Sequence, residues 1–268
     1  MPFLRLVFAI AFLGLPLYLS ACADVPQSPE AQAQNARQSD SYEAAALDDN
    51  DPFEPVNRAI FEVNDVMDWL LIKPLAEVYR FLLPDFVRDR VANILANMGE
   101  PVVFANNLLQ GEVSSAGVTL SRLVVNSTVG VGGMFEVAND WGLEKQAGDF
   151  GQTLSVWGVG SGPYLVLPLF GPSNVRDAIG LGVDTVASPW PYIIALDGSE
   201  ARDTYLITSF AVSGLSRREQ ALDSYDALRA GSLDFYAEMR SVYRQYRNKQ
   251  LGLKPVDTTP MFNFEDED

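Results

Sequence analysis

Between residues 113 and 135 the chain carries one charge, Arg122, and between residues 150 and 175 it carries none. Segments so poor in charge want to leave water. Yet Gly130, Gly132, Gly133, Gly151, Gly158, Gly160, Gly162, Pro163 and Pro168 interrupt them repeatedly. A helix that crosses a bilayer needs about 20 consecutive apolar residues, so a simple transmembrane span is excluded. Two arrangements remain open. One is a soluble core unusually rich in glycine. The other is a set of short helices lying in or near a bilayer, their backbones close together at the glycines.

The flanking regions predict helices. Val56, Ile60, Val63, Met67 and Leu70 recur at helical spacing behind the opening Asp51-Pro52-Phe53-Glu54-Pro55. Lys73-Pro74 is expected to end that helix, and a shorter one runs to Leu83. A third starts at Pro84 with Phe86, Val87, Val91, Ile94, Leu95 and Met98 on one face, and Gly99 and Pro101 mark its expected end. Asp197 with Glu200, and Ser216 with Glu219, have capping-box spacing. A last helix over about 232–251 collects Phe235, Tyr236, Met239, Val242, Tyr243 and Tyr246. Leu165-Val166-Leu167 reads as a brief extended segment. The fold expected from this spacing is all-α: amphipathic helices with Gly/Pro-rich turns and at most a short strand.

The first residues have a different role. Arg5 precedes an uncharged apolar run from Leu6 to Leu19, then Ser20, Ala21 and the chain's single cysteine, Cys22. That is the layout of a secretory signal, and Leu19-Ser20-Ala21-Cys22 resembles a bacterial lipobox. The resemblance implies cleavage before Cys22, a diacylated thiol and an acylated amine, with chains such as palmitate. Residue 23 is Ala rather than Asp, which by the same resemblance directs the protein to the inner leaflet of the outer membrane. Residues 1–21 are thus expected to be a signal peptide. Residues 22–50, polar and poor in large apolar side chains, form the lipidated N-terminus and a disordered tether with a reach of about 30 Å. Residues 51–252 form the body, and residues 253–268, ending in Glu265-Asp266-Glu267-Asp268, an acidic disordered tail.

Composition removes several functions. The formal charge is −16, and removal of the leader, with its one arginine and no acid, makes it more negative by one unit. Such a surface repels phosphate backbones, so nucleic acid is not an expected partner. Membrane attachment must come from apolar contact and the anchor. Histidine is absent, which eliminates the Ser-His-Asp triad, the Cys-His pair and every histidine metal site. Gly158-Val159-Gly160-Ser161-Gly162 lacks the third glycine of a dinucleotide fingerprint, and no Gly-Lys-Ser/Thr loop is present. No catalytic residue, metal or cofactor is expected.

Longer motifs resemble one family. Asp51-Pro52-Phe53-Glu54 with Asn57-Arg58, Asn97, Glu100-Pro101, Asn106 and Leu109-Gln110-Gly111 occur in the order found in MlaA/VacJ lipoproteins. Arg122, Asn126, Gly130, Gly132-Gly133, the run from Asp149 to Leu154 and Trp157-Gly158-Val159-Gly160 continue it. So do Gly162-Pro163-Tyr164-Leu165-Val166-Leu167-Pro168, Phe170-Gly171-Pro172-Ser173, Arg176-Asp177 and Gly180. The resemblance spans about residues 51–248 and is weaker after Pro191.

It implies a ring of helices in the inner leaflet of the outer membrane, with an amphipathic channel, beside a trimeric porin. Phospholipid astray in the outer leaflet would pass to a soluble periplasmic carrier, without covalent chemistry. A lipid path needs an apolar side and polar relief for the head group. The candidates are Gly130, Gly132, Gly133, Gly158, Gly160, Gly162, Tyr164 and Leu165, with Arg122 and Arg176 as phosphate partners. Each arginine has an alternative as a structural ion pair or cap. A lipoprotein that only scaffolds the envelope or a porin, and a phospholipase, are the alternative functions.

Overall fold

A computed structural model describes residues 51–253. The leader, Cys22, the tether and the tail from residue 254 onward lie outside the described residues. The first stretch is one continuous helical path: α1 (Glu54–Met67), a π-helical turn (Asp68–Ile72) and α2 (Lys73–Leu82). The predicted break at Lys73-Pro74 does not occur. Proline removes a backbone donor, and the chain absorbs the loss by widening one turn, where the Lys73 amide reaches Asp68 O.

Helix α3 (Asp85–Leu109) runs through both Gly99 and Pro101, so the expected boundary there is also wrong. The Trp190 indole, 92 residues away, donates to Met98 O at 2.7 Å beside the proline. After it come α4 (Val113–Thr128), α5 (Val137–Asp140) and α6 (Phe150–Val156), the last capped by the Asp149 carboxylate on the Gln152 amide. Strands β1 (Tyr164–Leu167) and β2 (Gly171–Asn174) pair antiparallel, Tyr164 opposite Asn174. The single expected strand is therefore a hairpin. Asn174 caps α7 (Val175–Ala187), and Pro189 begins α8 (Trp190–Ile194).

The last third holds α9 (Ser199–Gln220), α10 (Leu222–Gly231) and α11 (Phe235–Gln250). Neither capping box forms. Gly198 precedes α9 without a side-chain cap, and Ser216 and Glu219 lie inside that helix, buried. Glu219 instead takes Arg80 at 2.9 Å and Arg88, both from other helices.

Contacts close a circuit among the described elements. α1 packs on β1, β2 on α7, α7 on α6, α6 on α3, α3 on α9 and α9 on α2, which continues α1. This is the ring-like helical order expected, with one short hairpin set into it. The apolar core is small: Phe61, Tyr164, Val166 and Tyr236, flanked by Ile60, Phe235, Met239 and Tyr243. Ion pairs join the arcs elsewhere. Arg218 grips Asp68 with two hydrogen bonds of 2.7 and 2.9 Å, Lys73 meets Asp226 at 2.7 Å, and Arg229 meets Asp65. Arg58 forks onto Asp234 at 3.1 and 2.7 Å.

Candidate functional site

The distribution of polarity is the reverse of a water-soluble domain. Among the described residues eighteen buried side chains are polar or charged and nine, with Pro191, are apolar. Exposed instead are Val63, Val66, Trp69, Leu70, Leu71, Val78 and Phe81 along α1–α2, and the same holds for Ile179, Val186, Ile193, Ile207 and Phe210. In water such area would cost about 25 cal/mol per Å². Against hydrocarbon it costs nothing, and the buried polar groups must then satisfy one another, since lipid offers no hydrogen bonds.

Many of them do so in two hubs, while among the described residues Asn97 Oδ1, Glu100 Oε2, Asn107 Oδ1 and Gln152 Nε2 are buried without a hydrogen-bond partner. In the first, Arg122 is 1% exposed. Its Nε donates to Glu100 Oε1 at 3.2 Å, one terminal nitrogen to Glu136 at 3.1 Å, the other to Leu143 O at 2.5 Å. Burial pushes the Glu100 carboxyl above its usual range, against the pull of Arg122. In the second hub, Arg247 of α11 forks onto Asp149 at 2.6 and 2.7 Å and also meets Asp177 at 2.9 Å. Tyr243 gives its hydroxyl proton to Asp177 at 2.6 Å. Burial raises the Asp177 pKa, but the Arg247 and Tyr243 hydrogen bonds outweigh it and hold the carboxyl below its ordinary value.

The sequence-derived candidates divide. Arg122 is buried in ion pairs with Glu100 and Glu136, the arrangement of the structural alternative. Arg176 is buried as well, with Asp177 at 3.1 Å and Val159 O at 3.5 Å. Gly130 and Gly133 are buried and packed: a Cβ at Gly130 would lie 2.5 Å from Asn126 O, and one at Gly133 2.6 Å from Asn97 Cβ. Tyr164 is buried in the aromatic core against Tyr236 and Tyr243, and Leu165 is half-buried on the neighbouring face. Gly132, Gly158, Gly160 and Gly162 are exposed. Gly132, Gly158 and Gly162 hold positive φ, whereas Gly160 has open space around it and an ordinary φ.

Other features carried no signal of their own in the sequence. Val131 (φ 53) and Leu169 (φ 66) occupy the left-handed region, which costs an L-residue about 1–2 kcal/mol. Both are exposed at the ends of Gly-rich turns. Asn57 and Asn64 act as a substitute strand edge. The Asn57 amide donates to Tyr164 O at 3.0 Å and accepts from Val166 N at 2.9 Å. Seven residues on, Asn64 does the same for Leu167 O and Leu169 N, each at 2.9 Å.

The stretch Val175–Asp197 is long and apolar enough to cross a membrane, and 11% of its most apolar window is buried. It does not form one rod. Ser188 is extended (φ −60, ψ 126) ahead of Pro189, which breaks it into α7 and α8. The two pieces carry the exposed apolar side chains Ile179, Val186 and Ile193.

Residues 49–250 match the model of the family described as MlaA lipoprotein. The chain belongs to the MlaA lipoprotein family. Its MlaA relatives include the intermembrane phospholipid transport system lipoprotein MlaA of Escherichia coli (strain K12). That protein is 32% identical over 200 residues, 73% of this chain and 76% of the relative. The protein of the same description from Haemophilus influenzae is 31% identical over 206 residues, 75% and 78% of the two chains. An uncharacterized protein of Rickettsia bellii is 35% identical over 202 residues, 75% and 76% of the two chains. A solved MlaA-like structure, described as the structural basis for maintenance of bacterial outer membrane lipid asymmetry, superposes with a TM-score of 0.64. It shares 31% identity and covers 75% of this chain and 98% of its own.

Proposed function

We propose that this chain is the outer-membrane lipoprotein of an intermembrane phospholipid transport system that maintains lipid asymmetry. In this reading it sits in the inner leaflet, anchored through acylated Cys22. It takes mislocalised phospholipid from the outer leaflet and passes it to a soluble periplasmic carrier, beside a trimeric porin. The observation that carries the reading is the reversed polarity of the body, with apolar side chains outward and polar side chains, many of them hydrogen-bonded to one another, inside. The related lipoproteins of E. coli and H. influenzae support the transport assignment.

No covalent step is needed, and a chain without histidine cannot build a Ser-His-Asp triad or a Cys-His pair. Moving a lipid requires a surface for acyl chains and a path on which the charged head group is never left bare. The exposed Gly-rich segment 158–162 and the turn 168–170 offer backbone polar groups among apolar side chains. Of the candidate residues, Gly132, Gly158, Gly160 and Gly162 are exposed, and this supports a path along them. The test is deletion of the gene with complementation. Surface phospholipid, labelled at its head group by a membrane-impermeant amine reagent, should rise on deletion and return on complementation. Unchanged labelling would contradict the reading. Transfer of labelled lipid to purified carrier separates transport from envelope scaffolding.

A further inference from the structure

We infer that Arg90 is a phospholipid phosphate site: its guanidinium, held by Phe135 and Met134 but paired with no carboxylate, meets the lipid phosphodiester while acyl chains lie on the apolar side chains around it. The inference rests on the membrane-embedded reading above and deepens it by naming a head-group contact.

The chain between α4 and α5 lies against one face of α3. Gly133 comes so close that a Cβ there would be 2.6 Å from Asn97 Cβ. Residues 90, 93 and 97 follow one another at three and four positions and so share that face. Asn93 and Arg90 both donate to Met134 O, each at 3.2 Å. The Arg90 guanidinium carbon lies 4.5 Å from the centroid of the Phe135 ring. The ring takes one face of the guanidinium, and the carbonyl takes one N–H. The other donors in the plane are left for an anion.

No protein carboxylate fills that role. Acids outnumber bases 35 to 19 in this chain, and the buried Arg122, Arg176 and Arg247 all find carboxylates. Among the described residues Arg90 has none within 4.0 Å. Its surroundings are apolar instead: Phe86, Val129, Val131, Met134 and Phe135 are exposed at the start of α3 and along the turn. A cation among apolar side chains that face a bilayer is costly until an anion meets it. A phospholipid supplies both halves, a phosphate for the guanidinium and acyl chains for the apolar collar. A soluble acidic peptide would match the charge but not the collar. Gly132, a candidate of the lipid path, is exposed in this same turn. Arg90 thus offers there the head-group cation that Arg122 and Arg176, paired with protein carboxylates, do not.

The test uses the full mature chain in digalactosyldiacylglycerol vesicles, with p-benzoylphenylalanine replacing Met134 or, as a bilayer control, Phe81. The vesicles carry a trace of acyl-labelled phosphatidylethanolamine or of equally labelled digalactosyldiacylglycerol. Both lipids are uncharged overall, so a preference reports the phosphate. Light should capture phosphatidylethanolamine about tenfold more than galactolipid at position 134, the lower range of a charge-assisted hydrogen bond. Position 81 should capture the two equally. Arg90→Gln should erase the preference, Arg90→Lys should keep part of it, and Arg217→Gln, at an exposed arginine, should keep all of it. Circular dichroism checks that each variant is folded. If Arg90→Gln does not fold, Phe135→Leu is read instead and should lower the preference between about twofold and about fivefold. Equal capture at position 134, or a preference that survives Arg90→Gln, would overturn the inference. So would capture of a second copy of the chain in place of lipid. Inorganic phosphate that erases the preference, where chloride at equal ionic strength does not, would assign the site to free phosphate and overturn the lipid. Lipid captured at neither position would sink the embedded reading together with this inference. Capture intact at 81 without preference at 134 would sink this inference alone.

Discussion

Arg122 on α4 and Glu100 on α3 face one another at 3.2 Å, with both side chains almost wholly withdrawn from solvent. Removing one member leaves the other charged and buried, which costs about 3–5 kcal/mol. Arg122→Ala should therefore lower the unfolding free energy by that amount, seen as a lower midpoint of chemical unfolding in detergent. The double change Arg122→Met with Glu100→Leu should recover most of the loss, because it leaves less buried charge behind. If Arg122 served lipid phosphate instead, Arg122→Ala would abolish transfer while leaving the unfolding midpoint unchanged.

The Arg247–Asp177–Tyr243 hub predicts a pH dependence. The Asp177 pKa is lowered in the fold from an ordinary 3.8. Its contribution to stability is present in full above that ordinary value and is lost as pH falls through the lower folded value. The stability difference between wild type and Asp177→Asn should be constant near neutrality and shrink below pH 3.8. Thermal unfolding of both proteins over an acid series measures it. A difference that grows on acidification would show the sign to be wrong.

Glycine substitutions should separate packing from passage. Gly133→Ala drives a methyl into Asn97 and should destabilise by about 1–3 kcal/mol. Gly132→Ala meets no neighbour but keeps φ 70, so its cost should be near 1 kcal/mol. Gly160→Leu faces open space at an ordinary φ and should leave stability unchanged within about 0.5 kcal/mol. If the 158–162 segment lines the path, Gly160→Leu should nevertheless slow lipid transfer. The readouts are unfolding midpoint and vesicle transfer for the same three proteins.

Processing is tested at the cysteine. Cys22→Ser should prevent diacylation and leave an unprocessed precursor, seen as a mass increase equal to the retained leader less the acyl groups. A mature, acylated mass in that variant would refute the lipobox assignment.

Helix character was legible from spacing alone in α1 and α11, where apolar residues recur every three to four positions. Boundaries were not, because long-range partners decide them. Gly99 and Pro101 stay inside α3 with the Trp190 indole on Met98 O, and Pro74 is absorbed by a π turn. Ser216 and Glu219 have the spacing of a cap and also that of one helix face, and Arg80 and Arg88 from other helices select the second. Of the polar family-motif residues, Arg122 is a lipid-path candidate, and it lies in the buried interior with Asn57, Asn97, Glu100, Asn106, Asn126 and Thr153. One sequence marks a polar residue but not whether its partner will be protein or ligand. The Asn64–Leu169 bond joins residues too far apart in the chain for periodicity to reveal.

In the transport reading the apolar surface of the body is matched to a bilayer. The direct measurement is fractionation without detergent of a chain beginning at residue 51, exported through an ordinary cleavable leader that adds no lipid. Circular dichroism of the recovered protein first establishes that it is folded and helical. The account predicts that it sediments with outer membranes and resists extraction by high salt and alkaline carbonate. A folded, monomeric protein in the soluble periplasmic fraction would contradict it.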